Sequence, residues 1–399
     1  VSKEWPIKPI STFAKTSAGG TPSKAKKEFY ENGSIPWLLS GEVSNPNITE
    51  ATNFITEAGL KGSSAKIFPK DSVLVAMYGA TAGEVGILRI EAATNQAVCA
   101  ILPSDRHVPK YLYYYLLHAK PSLVAQAVGN AQPNISQQKI KALAVPLPPL
   151  DEQRKIVAIL DEAFEGIDRA RANVEANAQD AYMLFTTSVE EIISPEANEW
   201  TTGPLSTMVG PVSTGPFGSL LHKSDYVENE IPLVNPANII NGKITPDLRK
   251  TVSRDTLKKL SSYVLEKDDI VVGRRGEMGR CAVVTADQAG WLCGTGSFFI
   301  RPNKNIAPKL VAYLLRSPSF VRKLELASTG ATMANLSNRV LGELQISLPA
   351  QAIQERLLDQ IAELEDKSFS LSRIMLEKLK ALSNLRQSLL QKAFAGELT

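Results

Sequence analysis

The C-terminal half of this chain repeats its N-terminal half, and each copy ends in a long helix-forming stretch. The segment from Gly129 to Leu160 aligns without a gap on the segment from Gly330 to Ile361, at a fixed offset of 201 (330 − 129). Asn134 pairs with Asn335, Ser136 with Ser337, Leu143 with Leu344, Leu147 with Leu348, Pro148 with Pro349 and Gln153 with Gln354. Upstream the matches stay collinear. Trp200 answers Trp5, Gly215 answers Gly20, and IPLVNPANI from Ile231 answers IPWLLSGEV from Ile35. KDDIVVGRRGEMG from Lys267 answers KDSVLVAMYGATAG from Lys70, and APKLVAYLL from Ala307 answers VPKYLYYYLL from Val108. A duplicated chain predicts a pseudo-symmetric molecule with two similar binding surfaces.

Each copy before its helix reads as α+β. Ile35 to Ser40, Asp71 to Gly79 and Gln96 to Pro103 are apolar or β-branched runs bounded by Gly, Pro, Asn and Asp, which reads as strands. VPKYLYYYLLHA reads as a short helix, with Pro109 in its first turn where a missing N–H costs nothing. The pattern changes from Asp151 to Ile193, a stretch without proline. Apolar or small residues recur there at spacings of three and four: Ile156, Leu160, Ala163, Ile167, Ala170, Val174, Ala181 and Leu184. That is an amphipathic helix with a coiled-coil seam, its first turn carrying Asp151 and Glu152 and its end closed by Pro195. A second such helix runs from Ala350 to Phe394, with a seam that includes Leu357, Ile361, Leu364, Leu371, Leu382 and Leu389 and with Gly396 as its stop. Each would span about 60 Å. Neither hides its seam alone, so antiparallel pairing is expected, with a module at each end. The boundaries read as a first recognition domain over 1–147, a central helix over 148–194, a second recognition domain over 195–348 and a C-terminal helix over 349–399.

The motifs argue against chemistry on this chain. G-x-x-x-x-G-K-[ST], H-E-x-x-H, G-x-S-x-G and a strand-linked G-x-G-x-x-G are all missing, and LPPL at Leu147 to Leu150 is not the Asn-Pro-Pro-aromatic tetrad of adenine methyltransferases. Cys99, Cys281 and Cys293 are far apart and read as small buried hydrophobes of a reducing compartment; His107, His118 and His222 are too scattered for a zinc site. The composition, 44% hydrophobic and 21% charged, is that of an ordinary globular protein. The net charge of +3 excludes a histone-like polycation but allows a locally basic face. No apolar run of about 18 residues occurs, so the chain is expected to be cytoplasmic, with no membrane partner.

Two pairs of loops are candidate nucleic-acid contacts. MYGATAGEVG places Tyr78, Thr81 and Glu84 beside Gly79 and Gly83. GRRGEMGRC places Arg274, Arg275, Glu277 and Arg280 beside Gly273, Gly276 and Gly279. Glycine permits close backbone approach and arginine can read guanine bidentately; the plainer reading is a hairpin with solvated charges. GGTPSKAKK and STGPFGSLLHKS offer Lys24, Lys26, Lys27 and Lys223 to phosphates, or are ordinary basic loops. Tyr113, Tyr114 and Tyr115 suit base stacking or, more simply, a helix core and rim. Asn134-x-Ser136 and Asn335-x-Ser337 read as caps of the short helices that follow.

VPLPPLDEQRKIVAILD (Val145 to Asp161), which ends a module and opens a long helix, resembles the specificity subunits of type I restriction–modification enzymes. So does LSNLRQSLLQKAFAGELT (Leu382 to Thr399), and the resemblance covers the whole chain. The second copy departs from it: Pro349-Ala350-Gln351 replaces Pro-Pro-Leu, and Gln354-Glu355 keeps part of the Glu-Gln signal. The resemblance implies a non-catalytic subunit that binds double-stranded DNA with a split site, each recognition domain reading one half and the helix pair fixing the gap. It implies two methyltransferase subunits that methylate adenine with S-adenosylmethionine, and two restriction subunits that translocate and cleave with ATP and Mg. No cofactor is expected on this chain. Two other classes stay open: a tandem-module scaffold that binds no DNA, and an enzyme with a cryptic site. An orphan specificity subunit is a variant of the leading reading.

Overall fold

The computed structural model describes residues 4–125, 134–194, 200–328 and 336–398. The chain divides into two compact units, Val1–Glu175 with Leu376–Thr399, and Ala176–Met375. Each unit holds one α+β module and one half of each long helix.

In the first unit a five-stranded sheet has the spatial order Thr16–Ala18, Val98–Ile101, Val73–Ala76, Val85–Leu88, Asn47–Ile48. The pairs are antiparallel except the last, which is parallel. The central strands are apolar without alternation because both faces are covered. Val73, Val75, Val85, Ile87, Cys99 and Ile101 face Tyr111, Leu112 and Leu116 of the helix Pro109–Ala125. Leu74, Ala76, Leu88, Val98 and Ala100 face Leu38, Val43, Ile48 and Phe68 on the other side. The period of two, hidden in the run, sorts the residues into two cores. A second sheet orders Phe54–Ile55, Ile35–Leu38, Ala92–Thr94 and Ile67–Phe68, with a parallel central pair. The helix Pro109–Ala125 is longer than its sequence suggests and runs through Pro121.

The second unit repeats the plan. Val212–Thr214, Ser297–Ile300, Ile270–Gly273 and Cys281–Val283 form an antiparallel sheet. Tyr226–Val227, Thr251–Val252, Ile231–Val234 and Leu292–Cys293 form the other, again with one parallel pair. Left-handed backbone recurs at matching turns: Asn32 and Asn229 at φ 59°, Asp71 and Asp268 at 68° and 72°. Short-chain polar residues tolerate that region best after glycine. In each module the first and last strands pair, Ile7–Pro9 with Ala144–Pro146 and Trp200–Pro204 with Gln345–Pro349. The chain therefore leaves each module where it entered, just before a long helix.

The central helix runs Leu150–Ile192 and the C-terminal helix Gln351–Phe394, and the two pack antiparallel. In the first unit Ile156, Leu160, Phe164 and Ile167 share a core with Leu390, Ala393 and Phe394. In the second, Val189 and Ile193 share one with Leu357 and Ile361. The seam expected from the heptads is buried where the helices lie against the modules and opens beyond them. Leu364 is half-buried, Leu371 is 45% exposed and Leu184 is 69% exposed. The face that is buried is the one against the module, so the seam fades where each helix leaves its module. Gly396, at φ 76°, ends the C-terminal helix as expected, with the Glu397 amide donating to the Lys392 carbonyl at 3.0 Å. Pro195 and Asn335 lie outside the described residues. No helix among the described residues is long and apolar enough to cross a membrane.

Candidate nucleic-acid interface

In each module the loops between strands gather at one end, held by equivalent backbone hydrogen bonds. In the first, the Gly19 amide donates to the Val98 carbonyl (3.1 Å), Asn95 to Leu38 (2.9 Å), Met77 to Ala97 (2.7 Å) and Ile135 to Met77 (2.8 Å). In the second, Gly215 donates to Ser297 (2.9 Å), Gly294 to Val234 (3.0 Å), Arg274 to Gly296 (2.8 Å) and Leu336 to Arg274 (3.3 Å). The partner of Gly215 is thus Gly19, one residue before the Gly20 expected from the alignment. A side chain at Gly19 would collide with the Thr94 and Asn95 carbonyl oxygens, and one at Gly215 with the Gly294 carbonyl oxygen. Only glycine lets these loops close on each other.

The same bonds place Met77 opposite Arg274 and Tyr78 opposite Arg275. Met77 is buried. Arg274 follows it inward: its Nε donates to the Leu336 carbonyl at 3.0 Å, and its guanidinium lies 5.9 Å from the Phe298 ring centre. Burial, with the neighbouring Arg275 charge, holds its pKa below the usual guanidinium value. Arg274 is therefore committed to the loop's own structure. Tyr78, 40% exposed, and Arg275, exposed, stand at equivalent loop tips. Gly79 and Gly276, at φ 74° and 79°, follow them and turn each chain back with backbone that only glycine adopts cheaply.

The remaining candidates divide in the same way. Arg280 pairs with Glu277 at 2.5 Å and donates to the Pro236 carbonyl at 3.4 Å, so it braces its hairpin. Thr81 is half-buried and its hydroxyl donates to the Tyr78 carbonyl at 3.3 Å, closing the turn under the tyrosine. Lys24, Lys26 and Lys27 are exposed on the loop after Thr16–Ala18, with the Lys26 ammonium 4.9 Å from the Phe29 ring centre. Lys223 is exposed on the matching loop, where the 3-10 turn Lys223–Asp225 carries it. These four present charge to solvent. The ends differ in other side chains too: Thr21 hydrogen-bonds Gln96 in the first, and exposed Phe217 occupies the corresponding place in the second.

The tyrosine cluster is core. Tyr113 and Tyr114 are buried, the Tyr114 hydroxyl bonds Asp161, and the Tyr115 hydroxyl donates to the Ala144 carbonyl at 2.5 Å. Burial, joined at Tyr114 by the Asp161 carboxylate, raises their pKa values. The module helix turns Tyr114 and Tyr115 towards the long helices, edge-on to Phe164 and Phe394. The caps are the serines: Ser136 accepts from the Lys139 amide and Ser337 from Val340, whereas Asn134 bridges to Tyr78. No group of His, Cys, Asp and Glu able to hold a metal occurs among the described residues.

The residues that sequence reasoning missed are Gln153 and Gln354. Both are buried at the roots of the long helices, and each bonds three backbone groups. Their fixed offset of 201 was a visible signal, but their partners lie up to 49 residues away in the chain.

A profile described as the type I restriction modification DNA specificity domain matches residues 2–175 and 218–381. The chain is 24% identical over 420 residues to the type I restriction enzyme MjaIX specificity subunit of Methanocaldococcus jannaschii, an alignment covering 100% of this chain and 94% of that one. It is 30% identical over 164 residues to the EcoR124I/EcoR124II specificity subunit of Escherichia coli, 40% of either chain. Among solved structures, a chain from a study of complex assembly and conformational transition of the type I R-M system matches with a TM-score of 0.72 at 19% identity, covering 99% of this chain and 98% of that one. The HsdS subunit from Thermoanaerobacter tengcongensis matches with a TM-score of 0.53 at 19% identity, over 99% and 97%. With the profile falling on both copies of the duplicated module, the chain belongs to the type I restriction–modification DNA specificity family.

Proposed function

We propose that this chain is the DNA-reading subunit of a type I restriction–modification system, and that it reads a bipartite double-stranded target with a fixed gap. One observation carries the reading. The two modules build the same loop frame from equivalent backbone bonds and then furnish its tip differently, with Tyr78 in one and Arg275 in the other. A common frame with divergent tips suits two surfaces that read different bases: lysines position the duplex through phosphates, and tip residues meet base edges. The chain itself performs no catalysis in this reading. Adenine methylation with S-adenosylmethionine belongs to two methyltransferase subunits, and ATP- and Mg-dependent restriction to further subunits. Exposed Tyr182, Met183, Leu184 and Phe369 on the long helices suit contact with such subunits.

The test is co-expression with the cognate methyltransferase subunit and single-molecule sequencing of the host genome. A split motif with one gap length supports the reading. A stable complex with no methylated motif overturns it in favour of a protein scaffold.

A further inference from the structure

We infer that Gln153 and Gln354 are positioning residues that lock each long helix to its module and thereby hold the gap between the half-sites to one length. The inference rests on the bipartite reading proposed above. Gln153 is 0% exposed and Gln354 is 2% exposed. The Gln153 Oε1 accepts from the Val108 amide at 2.8 Å, and its Nε2 donates to the Arg106 carbonyl at 3.1 Å and the Pro148 carbonyl at 2.8 Å. The Gln354 Oε1 accepts from the Ala307 amide at 2.8 Å, and its Nε2 donates to the Asn305 carbonyl at 3.5 Å and the Pro349 carbonyl at 2.9 Å. Both amides therefore spend both N–H groups and the oxygen on the same three segments. These are the strap before the module helix, the residue immediately preceding that helix, and the segment from which the long helix departs.

Such a side chain does more than fill space. A methionine of the same size would pack as well but would leave one amide and two carbonyls at the helix root without partners. Three directional bonds from one planar amide fix an angle, which apolar packing does less sharply. Angle matters at a root. The central helix has 43 residues, so at 1.5 Å per residue a tilt of about 3° moves its far end by about 3.4 Å, the rise of one base pair.

A second contact follows each clamp and shows which one is the fixed point. Lys110 pairs with Asp161 at 2.8 Å and Tyr114 also bonds it; Lys309 pairs with Glu365 at 2.7 Å and Tyr313 also bonds it. The lysines and tyrosines correspond between copies. The carboxylates stand 8 residues beyond Gln153 (161 − 153) and 11 beyond Gln354 (365 − 354). This latch has shifted by nearly a helical turn, whereas the glutamine and its three partners have kept their places.

The test uses the full chain co-expressed with its methyltransferase subunit, with methylated adenines mapped by single-molecule sequencing. Gln153→Met and Gln354→Met are compared with wild type and with Leu116→Ala, which weakens the first core without touching the clamp. Both glutamine variants are expected to keep the half-site bases but to methylate sites whose gap is one base pair longer or shorter, at least tenfold above the wild-type level. Leu116→Ala is expected to lower yield and keep the gap. Strict gaps in both glutamine variants overturn the inference, and so does an equal loss of strictness in Leu116→Ala. Should either methionine variant fail to accumulate, Gln153→Glu and Gln354→Glu, which keep the acceptor and lose both donors, are judged by the same criterion. If wild type methylates no split motif, the bipartite reading itself fails; strict gaps against a working wild type sink the clamp alone.

Discussion

His107 offers a sharp test of the duplicated architecture. It lies between Arg106 and Val108, the two residues that Gln153 holds, and its counterpart between Asn305 and Ala307 is Ile306. The slot is therefore built for an apolar side chain. His107 is 3% exposed and lies edge-on to Phe13 at 5.7 Å; its Nδ1 meets Ser104 Oγ at 2.9 Å, and its Nε2 has no partner among the described residues. Burial pushes its pKa down from 6.5 to about 4. Because the folded value lies below the unfolded one, the unfolded chain binds the proton more readily between these values. The neutral ring's contribution is complete above pH 6.5 and is lost as pH falls towards 4. A shift of about 2.5 units corresponds to roughly 3 kcal/mol in all, of which about 2 kcal/mol is lost between pH 7 and pH 5. The variant to compare is His107→Ile, the residue the second copy uses. Urea unfolding followed by circular dichroism at both pH values should show the wild type losing about 2 kcal/mol more than the variant. Parallel losses would refute the argument, since every other titrating group is common to the two proteins.

Other outcomes follow from the same structure. Asp269 is 1% exposed and is gripped by the Arg301 Nε and Nη2, both at 2.9 Å. Arg301→Met should lower stability by about 2 kcal/mol in urea unfolding, less than the roughly 3–5 kcal/mol of a fully buried pair because the arginine is partly exposed. Arg275→Ala should relax base preference in one half-site by about 1–3 kcal/mol and Tyr78→Ala should affect only the other, both read from methylation motifs. Replacing Lys24, Lys26 and Lys27 together with glutamine should leave the motif intact. Measured on the complex with methyltransferase, it should make the dependence of log affinity on log salt shallower by up to about 2.7, or about 0.9 for each phosphate no longer neutralised.

What could be read from the residues, and what could not, separates along physical lines. The duplication was visible because turns and strand ends impose residue types locally: Asn32 with Asn229 and Asp71 with Asp268 repeat a left-handed backbone. The strands were visible as apolar runs, but their two-sided burial was not, because Val73–Ala76 carries no alternation to betray it. The helices were visible by period, while the face they bury was set by the module and left Leu371 exposed. At the loop tips Arg274 and Arg275 are neighbours of identical chemistry. Only the bond from Arg274 to Leu336, 62 residues on, decides that one turns in and the other out. The glutamine clamps were present in the alignment but silent, since their partners are backbone groups that carry no residue signature.

The core of the first unit has a consequence for the order in which this protein can be made. Phe394 packs edge-on to Tyr111 at 5.4 Å and to Tyr115 at 5.0 Å, and Leu390 and Ala393 are buried beside it. Residues more than 200 positions later in the chain thus complete the first module. At about 5–20 residues per second the ribosome takes roughly 10–45 seconds to pass from residue 175 to residue 394. Throughout that interval the surface awaiting Leu390, Ala393 and Phe394 is uncovered, and the nascent chain carries an unfinished hydrophobic face that a distant segment of the same chain must close.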